Sequence, residues 1–114
     1  MAYAPKRGDV VNIDLSPQVG HEQAGHRPAL VMSGNDYNNQ VGLAIVCPIT
    51  NKSKGYPFEV PIPAGLGVTG VVMADQAKSV DWQGRGATFR CRMPDFIIDE
   101  VLNRVIALIE NPEN

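Results

Sequence analysis

The stretch Leu43-Ala44-Ile45-Val46-Cys47-Pro48-Ile49 is the most strongly β-forming part of the 114-residue chain. Its isoleucine and valine side chains suit a pleated, half-buried surface, and its proline stands near its end. The residues that follow, Asn51–Tyr56, are polar and read as a loop. We therefore expect a buried strand over residues 43–49 and a polar loop after it.

Further short strands are predicted on both sides of this one. Residues Asp9–Leu15 alternate between apolar and polar side chains, as a half-buried strand does. Pro61 favours an edge position for its strand, and the polar turn around Tyr37 has room for one helical turn. The remaining strands are expected at Ala29–Met32, Phe58–Ile62, Val71–Ala74, Ala77–Val80 and Ala87–Arg92, with loops or turns over Ser16–His26, Gly34–Gly42 and Gly65–Gly70.

The C-terminal part of the chain has a helical pattern instead. Asp95 is predicted as its N-cap, and Pro112 lies just beyond its expected end. The apolar stripe of this helix is interpreted as core packing. The side chains that form the stripe are Ile98, Val101, Leu102, Val105, Leu108 and Ile109, widened by Ile97 and Ile106. The pattern predicts a mainly β fold with a C-terminal helix, as one domain over residues 1–114.

Composition and charge limit the classes of function. The chain is 44% hydrophobic and 19% charged, as a globular protein is, and it contains no apolar run of membrane-spanning length. No signal peptide is recognisable, so the cytoplasm is the default location. The formal net charge of −2 argues against a generally basic nucleic-acid binder but allows a local basic patch. Cys47 and Cys91 are expected to be buried thiols, and no metal or other cofactor is predicted.

Three polar segments interrupt this scaffold, and the first is Gly20–Pro28. It combines two histidines, a carboxylate, an amide and a guanidinium in a loop that leads into a strand. Pro28 biases Arg27 toward an extended conformation, at a strand edge where a guanidinium can clamp a phosphate. A solvated loop with a surface arginine is the simpler interpretation, and composition alone favours it.

The second polar segment is Pro48–Phe58. Thr50 falls where the buried strand opens into a loop that contains Ser53 and two lysines. A hydroxyl at that point can bind a phosphate oxygen, and the lysines can hold the backbone of a single strand. For Thr50 and Asn51, the simpler interpretation is that they form a turn. For Phe58, base stacking is one interpretation and a core position is the favoured one.

The third polar segment is Ala74–Gly86. Asp75 and Gln76 interrupt two apolar strands, where they either read base edges or fix a tight turn. Trp82 is compatible with a core, an interface or a base-stacking position, and an interface or partly buried position is favoured. Lys78 and Arg85 add positive charge. The sequence contains no phosphate-binding loop, nucleophile elbow, zinc-protease helix or dinucleotide fingerprint, so residues alone indicate a small β-rich domain with one polar face.

Taken together, the three segments resemble the MazF family of bacterial toxins. The similarity is close in GHEQAGHRPALVMS (20–33), PITNKSKGYPFEV (48–60) and GVVMADQAKSVDWQGRGAT (70–88), and it runs from about Arg7 to Ile109. The resemblance implies an SH3-like, plasmid-maintenance-toxin small barrel that forms a homodimer. It also implies a sequence-specific, metal-independent endoribonuclease that cleaves single-stranded mRNA and is inhibited by a MazE-like antitoxin with an acidic, flexible C-terminal tail.

The same resemblance assigns the chemistry to Arg27 and Thr50. The implied reaction is attack of the substrate's own 2′-hydroxyl on the adjacent phosphorus, which leaves a 2′,3′-cyclic phosphate and a 5′-hydroxyl. The general base stays open between Glu22 and His21. RNA contacts are predicted at Gln23, His26, Ser53, Lys54, Phe58, Asp75, Gln76, Lys78 and Arg85.

A Kid-like variant of the family site combines the histidine that matches His21 with Asp75 and an arginine. This chain has Met73 at the arginine position, which favours the arrangement of Arg27 and Thr50. Two other functions are compatible with the same barrel. A CcdB-like toxin binds DNA gyrase and cuts nothing, and an inactive binding module keeps the fold without the chemistry.

Overall fold

The computed structural model describes residues 3–16 and 25–110, and all structural statements concern these two ranges. They contain seven strands and two α-helices. The strands are β1 (Asp9–Asp14), β2 (His26–Val31), β3 (Ala44–Thr50), β4 (Glu59–Pro61), β5 (Val71–Met73), β6 (Lys78–Val80) and β7 (Thr88–Arg92). Helix α1 (Asn35–Val41) precedes β3, a 3₁₀ turn (Ala74–Gln76) joins β5 to β6, and α2 (Asp95–Glu110) follows β7. The predicted mainly β fold with a C-terminal helix is confirmed.

Strand β3 is the centre of an antiparallel sheet with the order β4-β5-β3-β2-β1-β7. Strand β2 pairs along one edge of β3, while β5 and β6 share the other edge. The 3₁₀ turn between β5 and β6 therefore lies against the middle of β3. Strand β4 ends the order, which confirms the edge position predicted from Pro61.

The strands pack on both faces because successive side chains point to opposite sides of a sheet. A first core cluster lies between the sheet and α2 and includes Val10, Leu30, Ile49, Val60, Val72, Ile98 and Val101. A second core cluster covers the other face and includes Val11, Ile13, Ala29, Val31, Val46 and Trp82. Residues of β1, β2 and β3 thus alternate between two apolar interiors.

Trp82 belongs to the second core cluster, so the core alternative is the one observed and not the favoured partly buried position. Its side chain is only 9% exposed. The indole Nε1–H donates to the carbonyl oxygen of Asn38 at 2.9 Å. Because this bond satisfies the polar atom of the ring, the whole side chain can enter the core.

Helix α2 differs from its prediction at both ends. Asp95 is the first helical residue rather than the N-cap, and the carbonyl oxygen of Pro94 accepts the N–H groups of Ile97 and Ile98. The apolar stripe is core as far as Val105: Ile97, Ile98 and Val101 are buried, and Leu102 and Val105 pack partly buried against the first core cluster. Ile106, Leu108 and Ile109 are exposed. The helix has 16 residues and is roughly 24 Å long, and the apolar side chains of its last turn are not covered by the core.

Smaller differences concern α1 and the cysteines. The turn over residues 34–42 contains a seven-residue helix, longer than the single turn predicted, and Gly42 ends it at a φ of 82°. Cys47 is buried as expected, and burial, with a contribution from the charge of Asp75, raises its pKa to about 12. Cys91 is only partly buried because it lies on β7, at the end of the strand order. No helix of the described ranges is long and apolar enough to cross a membrane.

Candidate functional site

Strands β2 and β3 bring Arg27 and Thr50 together. Their register pairs Ala29 with Pro48, and continuing it by two residues sets Arg27 opposite Thr50. Directly opposed residues of an antiparallel pair share one face of the sheet. The Nη1 atom of Arg27 lies 3.5 Å from the carbonyl oxygen of Ile49, the residue before Thr50. The structure therefore juxtaposes the two residues that the sequence singles out as the central pair.

The hydroxyl of Thr50 is held in place by the loop that follows it. Its Oγ1 accepts the N–H of Lys52 at 3.1 Å, which leaves the hydroxyl proton unused by that bond. Thr50 is 5% exposed, whereas Arg27 is partly exposed. Gly70 contributes to the packing because a Cβ at this position, with a φ of +114°, would meet the carbonyl oxygen of Thr50. Only glycine allows the chain before β5 to approach Thr50 so closely.

The turn after Thr50 is organised by Glu59, a residue that sequence analysis missed. This first residue of β4 is 6% exposed. Its carboxylate accepts the hydroxyl of Ser53 at 2.7 Å and the N–H groups of Lys54 and Gly55 at 3.0 and 3.1 Å. These bonds hold the pKa of Glu59 below its usual value, and the bond from Ser53 has the largest effect. The available signal was that Glu59 is the one acidic residue in the segment 48–60.

The predicted RNA contacts in this turn have different environments. The hydroxyl of Ser53 is engaged inside the turn, because it donates to Glu59 and accepts the N–H of Gly55 at 3.3 Å. Lys54 is exposed. Phe58 packs against the first core cluster, and its ring centroid lies 5.2 Å from that of the exposed Tyr56. The favoured core position of Phe58 is therefore the one observed.

The 3₁₀ turn beside β3 forms part of a cavity of about 160 Å³ that is lined by Asp75, Gln76, Ala77 and Lys78. Partial burial raises the pKa of Asp75 above its ordinary value, and the negative charge of Glu59 raises it further. A carboxylate and an amide beside a lysine can accept hydrogen bonds from a polar ring and donate hydrogen bonds to it. The structure thus brings the third polar segment close to the second.

Strand register places several of these side chains on one face. Ile49 and Val60 belong to the first core cluster, so their neighbours Thr50 and Glu59 lie on the opposite face of the sheet. Lys78 pairs with Val46 of the second core cluster and shares that opposite face, as does Arg27. One face of the sheet therefore carries a guanidinium, an ammonium group, a hydroxyl and a carboxylate, and the residues of the last two, Thr50 and Glu59, are buried.

Of the first polar segment, residues 25–28 are described, and His21, Glu22 and Gln23 lie outside the described residues. The base of this loop is closed by the N–H of Leu15, which donates to the carbonyl oxygen of Gly25 at 2.9 Å. His26 is exposed and pairs with Asp14 across β1 and β2. The carboxylate of Asp14 accepts the N–H of Ser16 at 2.9 Å, and this contact, with the charges of His26 and Arg85 adding to it, lowers the pKa of Asp14.

Arg85 is tied to the same loop base from the turn between β6 and β7. Its Nη1 donates to the carbonyl oxygens of Asp14 at 3.2 Å and Ser16 at 2.5 Å. The backbone N–H of Asp14 also donates to the carbonyl oxygen of Arg85 at 3.2 Å. The guanidinium that was predicted to contact RNA is thus engaged with the protein backbone. Among the described residues, no group of three histidine, cysteine or acidic side chains is placed to hold a metal ion.

Comparison with known proteins gives concordant matches. Residues 6–109 match the family model described as PemK-like, MazF-like toxin of type II toxin–antitoxin systems. Endoribonuclease toxin MazF of Escherichia coli K12 is 51% identical over 86 residues, which cover 75% of this chain and 77% of that protein. Endoribonuclease PemK of Escherichia coli is 34% identical over 108 residues, or 91% of this chain and 81% of that protein.

Solved structures agree with these relatives. The crystal structure of MazF from Deinococcus radiodurans superposes with a TM-score of 0.92 at 46% identity, over 95% of this chain and 98% of that chain. A crystal structure of MazE–MazF from the same organism gives a TM-score of 0.86 at 46% identity, over 95% of this chain and 97% of that chain. These matches give no support to the CcdB-like alternative. The chain belongs to the PemK-like, MazF-like toxin family of type II toxin–antitoxin systems.

Proposed function

We propose that this protein is an endoribonuclease toxin that cleaves single-stranded mRNA and is inhibited by a MazE-like antitoxin. The MazF and PemK relatives are named endoribonucleases, and MazF of Deinococcus radiodurans crystallises with MazE. The observation that carries the proposal is the juxtaposition of Arg27 and Thr50 across β2 and β3. That pair combines a permanent positive charge with a hydroxyl donor, which is what a reacting phosphodiester requires.

The proposed reaction needs no group beyond the substrate and the chain. The ribose 2′-oxygen forms a bond to phosphorus, and the bond from phosphorus to the 5′-oxygen breaks. The 2′-hydroxyl proton passes to Glu22 or His21, and the departing 5′-oxygen takes up a proton from the solvent. The Arg27 guanidinium stabilises charge on the equatorial oxygens, while the Thr50 hydroxyl donates to one of them.

We propose that the RNA lies over the face that Arg27 and Thr50 share with Lys78. Lys54 and Lys78 contact phosphates, and the cavity at Asp75 and Gln76 accepts a base. Gln23, His26 and Phe58 are secondary contacts, whereas Ser53 and Arg85 support the loops that contain the others. The number of nucleotides that these contacts span, and the order of the contacts along the RNA, make the cleavage sequence-specific.

The acidic tail of the antitoxin competes with RNA for the same cationic groups, since it presents carboxylates where the substrate presents phosphates. The toxin acts in the cytoplasm, where mRNA is translated. It is a homodimer, and the apolar side chains exposed on α2 support this assembly because a second copy can cover them. Light scattering at micromolar concentration is expected to give the mass of two chains.

The activity is tested by incubating the purified protein with an mRNA in the presence of EDTA. The expected fragments carry 2′,3′-cyclic phosphate and 5′-hydroxyl ends, and sequencing of their 5′ ends gives the recognition motif. RNA that stays intact at enzyme excess contradicts the proposal. RNA that is bound but not cut indicates an inactive binding module instead.

The central pair is tested by Arg27→Ala and Thr50→Ala. Each variant is expected to lower kcat by about 10²–10³ because one group that stabilises transition-state charge is lost. Arg104→Ala and Thr88→Ala are controls, since they remove the same kinds of side chain from a partly buried position on α2 and an exposed position on β7. Circular dichroism is expected to show an unchanged fold in all four variants. Full activity in both site variants would count against the assignment.

A further inference from the structure

We infer that Glu59 is a positioning residue for RNA binding: its carboxylate fixes the Ser53–Gly55 turn and thereby presents Lys54 to the RNA backbone. The inference rests on the proposed function, which places RNA on this face. It extends that function to a residue that is outside the predicted site. It also gives a role to a carboxylate on the sheet face that is proposed to bind a polyanion.

The first step is the bonding of the carboxylate itself. Glu59 is the first residue of an edge strand, yet it is only 6% exposed. Its Oε1 accepts Ser53 Oγ at 2.7 Å and the N–H of Gly55 at 3.1 Å, and its Oε2 accepts the N–H of Lys54 at 3.0 Å. Three consecutive residues thus donate to one side chain. An ionised carboxylate suits this arrangement because both of its oxygens only accept hydrogen bonds. The NH2 group of an amide is a donor and would face the donors of the turn.

The second step is the continuity of the bonds from Thr50 to Glu59. The N–H of Lys52 donates to Thr50 Oγ1 at 3.1 Å, and the N–H of Glu59 donates to the carbonyl oxygen of Tyr56 at 3.1 Å. The backbone is therefore anchored before, at and after Lys54. Fixing the backbone reduces the conformational entropy that an exposed lysine chain must lose when it binds a phosphate.

The third step concerns charge. Glu59 lies on the same sheet face as Thr50, and its negative charge acts on Asp75 in the neighbouring cavity. One carboxylate therefore affects both the turn with Lys54 and the cavity proposed for a base. A side chain that only filled space would have no such effect on Asp75.

Glu59→Gln keeps the volume of the side chain and removes its charge. We expect KM for the cleaved RNA to rise about tenfold, the scale of one lost charge-assisted contact, with kcat nearly unchanged. For the same sequence made with 2′-deoxyribose, the slope of log Kd against log salt is expected to become shallower by about 0.7, as for one phosphate contact on a single strand. Carbon-13 NMR titration is expected to show a lower pKa for Asp75. Glu110→Gln, which removes the same charge from the exposed end of α2, is expected to change none of these.

A double-mutant cycle tests whether Glu59 acts through Lys54. If it does, Glu59→Gln combined with Lys54→Ala raises KM no more than Lys54→Ala alone, because both changes remove one contact. Additive increases would overturn the inference. Ser53→Ala removes one donor and keeps the charge, so it serves if Glu59→Gln does not fold, and a smaller rise in KM is expected.

The two levels of the proposal fail in different ways. Wild-type protein that leaves RNA intact would overturn the proposed function and this inference with it. Active wild-type protein in which Lys54→Ala raises KM, while Glu59→Gln and Ser53→Ala do not, would overturn the inference alone.

Discussion

Two loops flank the pair Arg27 and Thr50, and the protein fixes them in opposite ways. The loop after β3 is held by a carboxylate, Glu59, that accepts N–H groups from consecutive residues. The loop between β1 and β2 is held at its base by a guanidinium, Arg85, that donates to two carbonyl oxygens. An acceptor inside a turn fixes the turn itself, whereas a donor at the base fixes only where the loop starts.

The two ties also differ in their distance along the chain. Ser53 and Glu59 are six residues apart, whereas Arg85 is 71 residues from Asp14 and 69 from Ser16. The local contact lies within the connection between β3 and β4 and needs no other part of the chain. The distant tie exists only once β1 and the turn after β6 have come together in the sheet. The position of the base of the β1–β2 loop therefore depends on the assembled fold. The conformation of the loop after β3 depends on its own segment.

The most disruptive test of this comparison is Arg85→Ala. The variant is expected to lower kcat by about 10- to 100-fold with a smaller change in KM, because the loop that Arg85 anchors contains His21 and Glu22, and a general base contributes about 10²–10⁴-fold. Arg85→Lys is expected to recover part of the rate, since one ammonium group can donate to both carbonyl oxygens as Nη1 does, but from a shorter side chain.

Steady-state kinetics on the cleaved RNA distinguish two roles for Arg85. Arg104→Ala is the matched control because it removes a guanidinium that is partly buried, like that of Arg85, and is bonded to Glu100 on α2. If Arg85→Ala instead raises KM and leaves kcat unchanged, Arg85 contacts RNA directly, as predicted from the sequence, and the contrast between the two loops disappears.

Local pattern was enough to predict the sheet. The alternation over residues 9–15 gave β1, the valine- and isoleucine-rich run gave β3, and Pro61 gave the edge position of β4. Each of these signals comes from residues close together in sequence, and each describes how a backbone segment meets its immediate surroundings. The pairing of Arg27 with Thr50 came instead from the resemblance to a family, because no local rule sets the register between β2 and β3.

Predictions that depended on packing between distant segments failed. Trp82 entered the core because the carbonyl oxygen of Asn38, 44 residues away, accepts its indole N–H. Ile109 fits the helical stripe but is 77% exposed, since periodicity does not show where the covering sheet ends. Glu59 was missed because its partners are mainly backbone N–H groups, which no sequence pattern marks.

Acid pH tests the comparison of the two loops, since each loop is held by a carboxylate with a lowered pKa, Asp14 or Glu59. For Glu59 the stabilising effect is present above the ordinary glutamate pKa of about 4.3 and is lost as the pH falls through the lower folded-state value. For Asp14 the pKa shift has the same sign, but this carboxylate accepts fewer hydrogen bonds. Wild-type protein is therefore expected to lose more stability on acidification than Glu59→Gln, with Asp14→Asn showing a smaller difference.

The measurement is the urea midpoint of each variant between neutral and acidic pH, with Glu110→Gln as the control for removal of one exposed carboxylate. Curves for wild type and Glu59→Gln that stay parallel over the whole range would show that the carboxylate of Glu59 does not stabilise the turn through its charge.

The smallest effect on activity is expected for Trp82→Phe, which tests whether the turn that contains Arg85 depends on the core beneath it. The variant loses the bond from Nε1 to Asn38, while the carbonyl oxygen of Asn38 still accepts the N–H of Gly42. The free energy of unfolding is expected to fall by about 1–2 kcal/mol. The turn keeps its own backbone bonds, from Arg85 to Asp81 and from Ala87 to Trp82, so kcat and KM are expected to stay at wild-type values. A fall in kcat like that of Arg85→Ala would mean instead that the indole sets the position of the guanidinium, and that the β1–β2 loop is anchored by the second core cluster rather than by Arg85 alone.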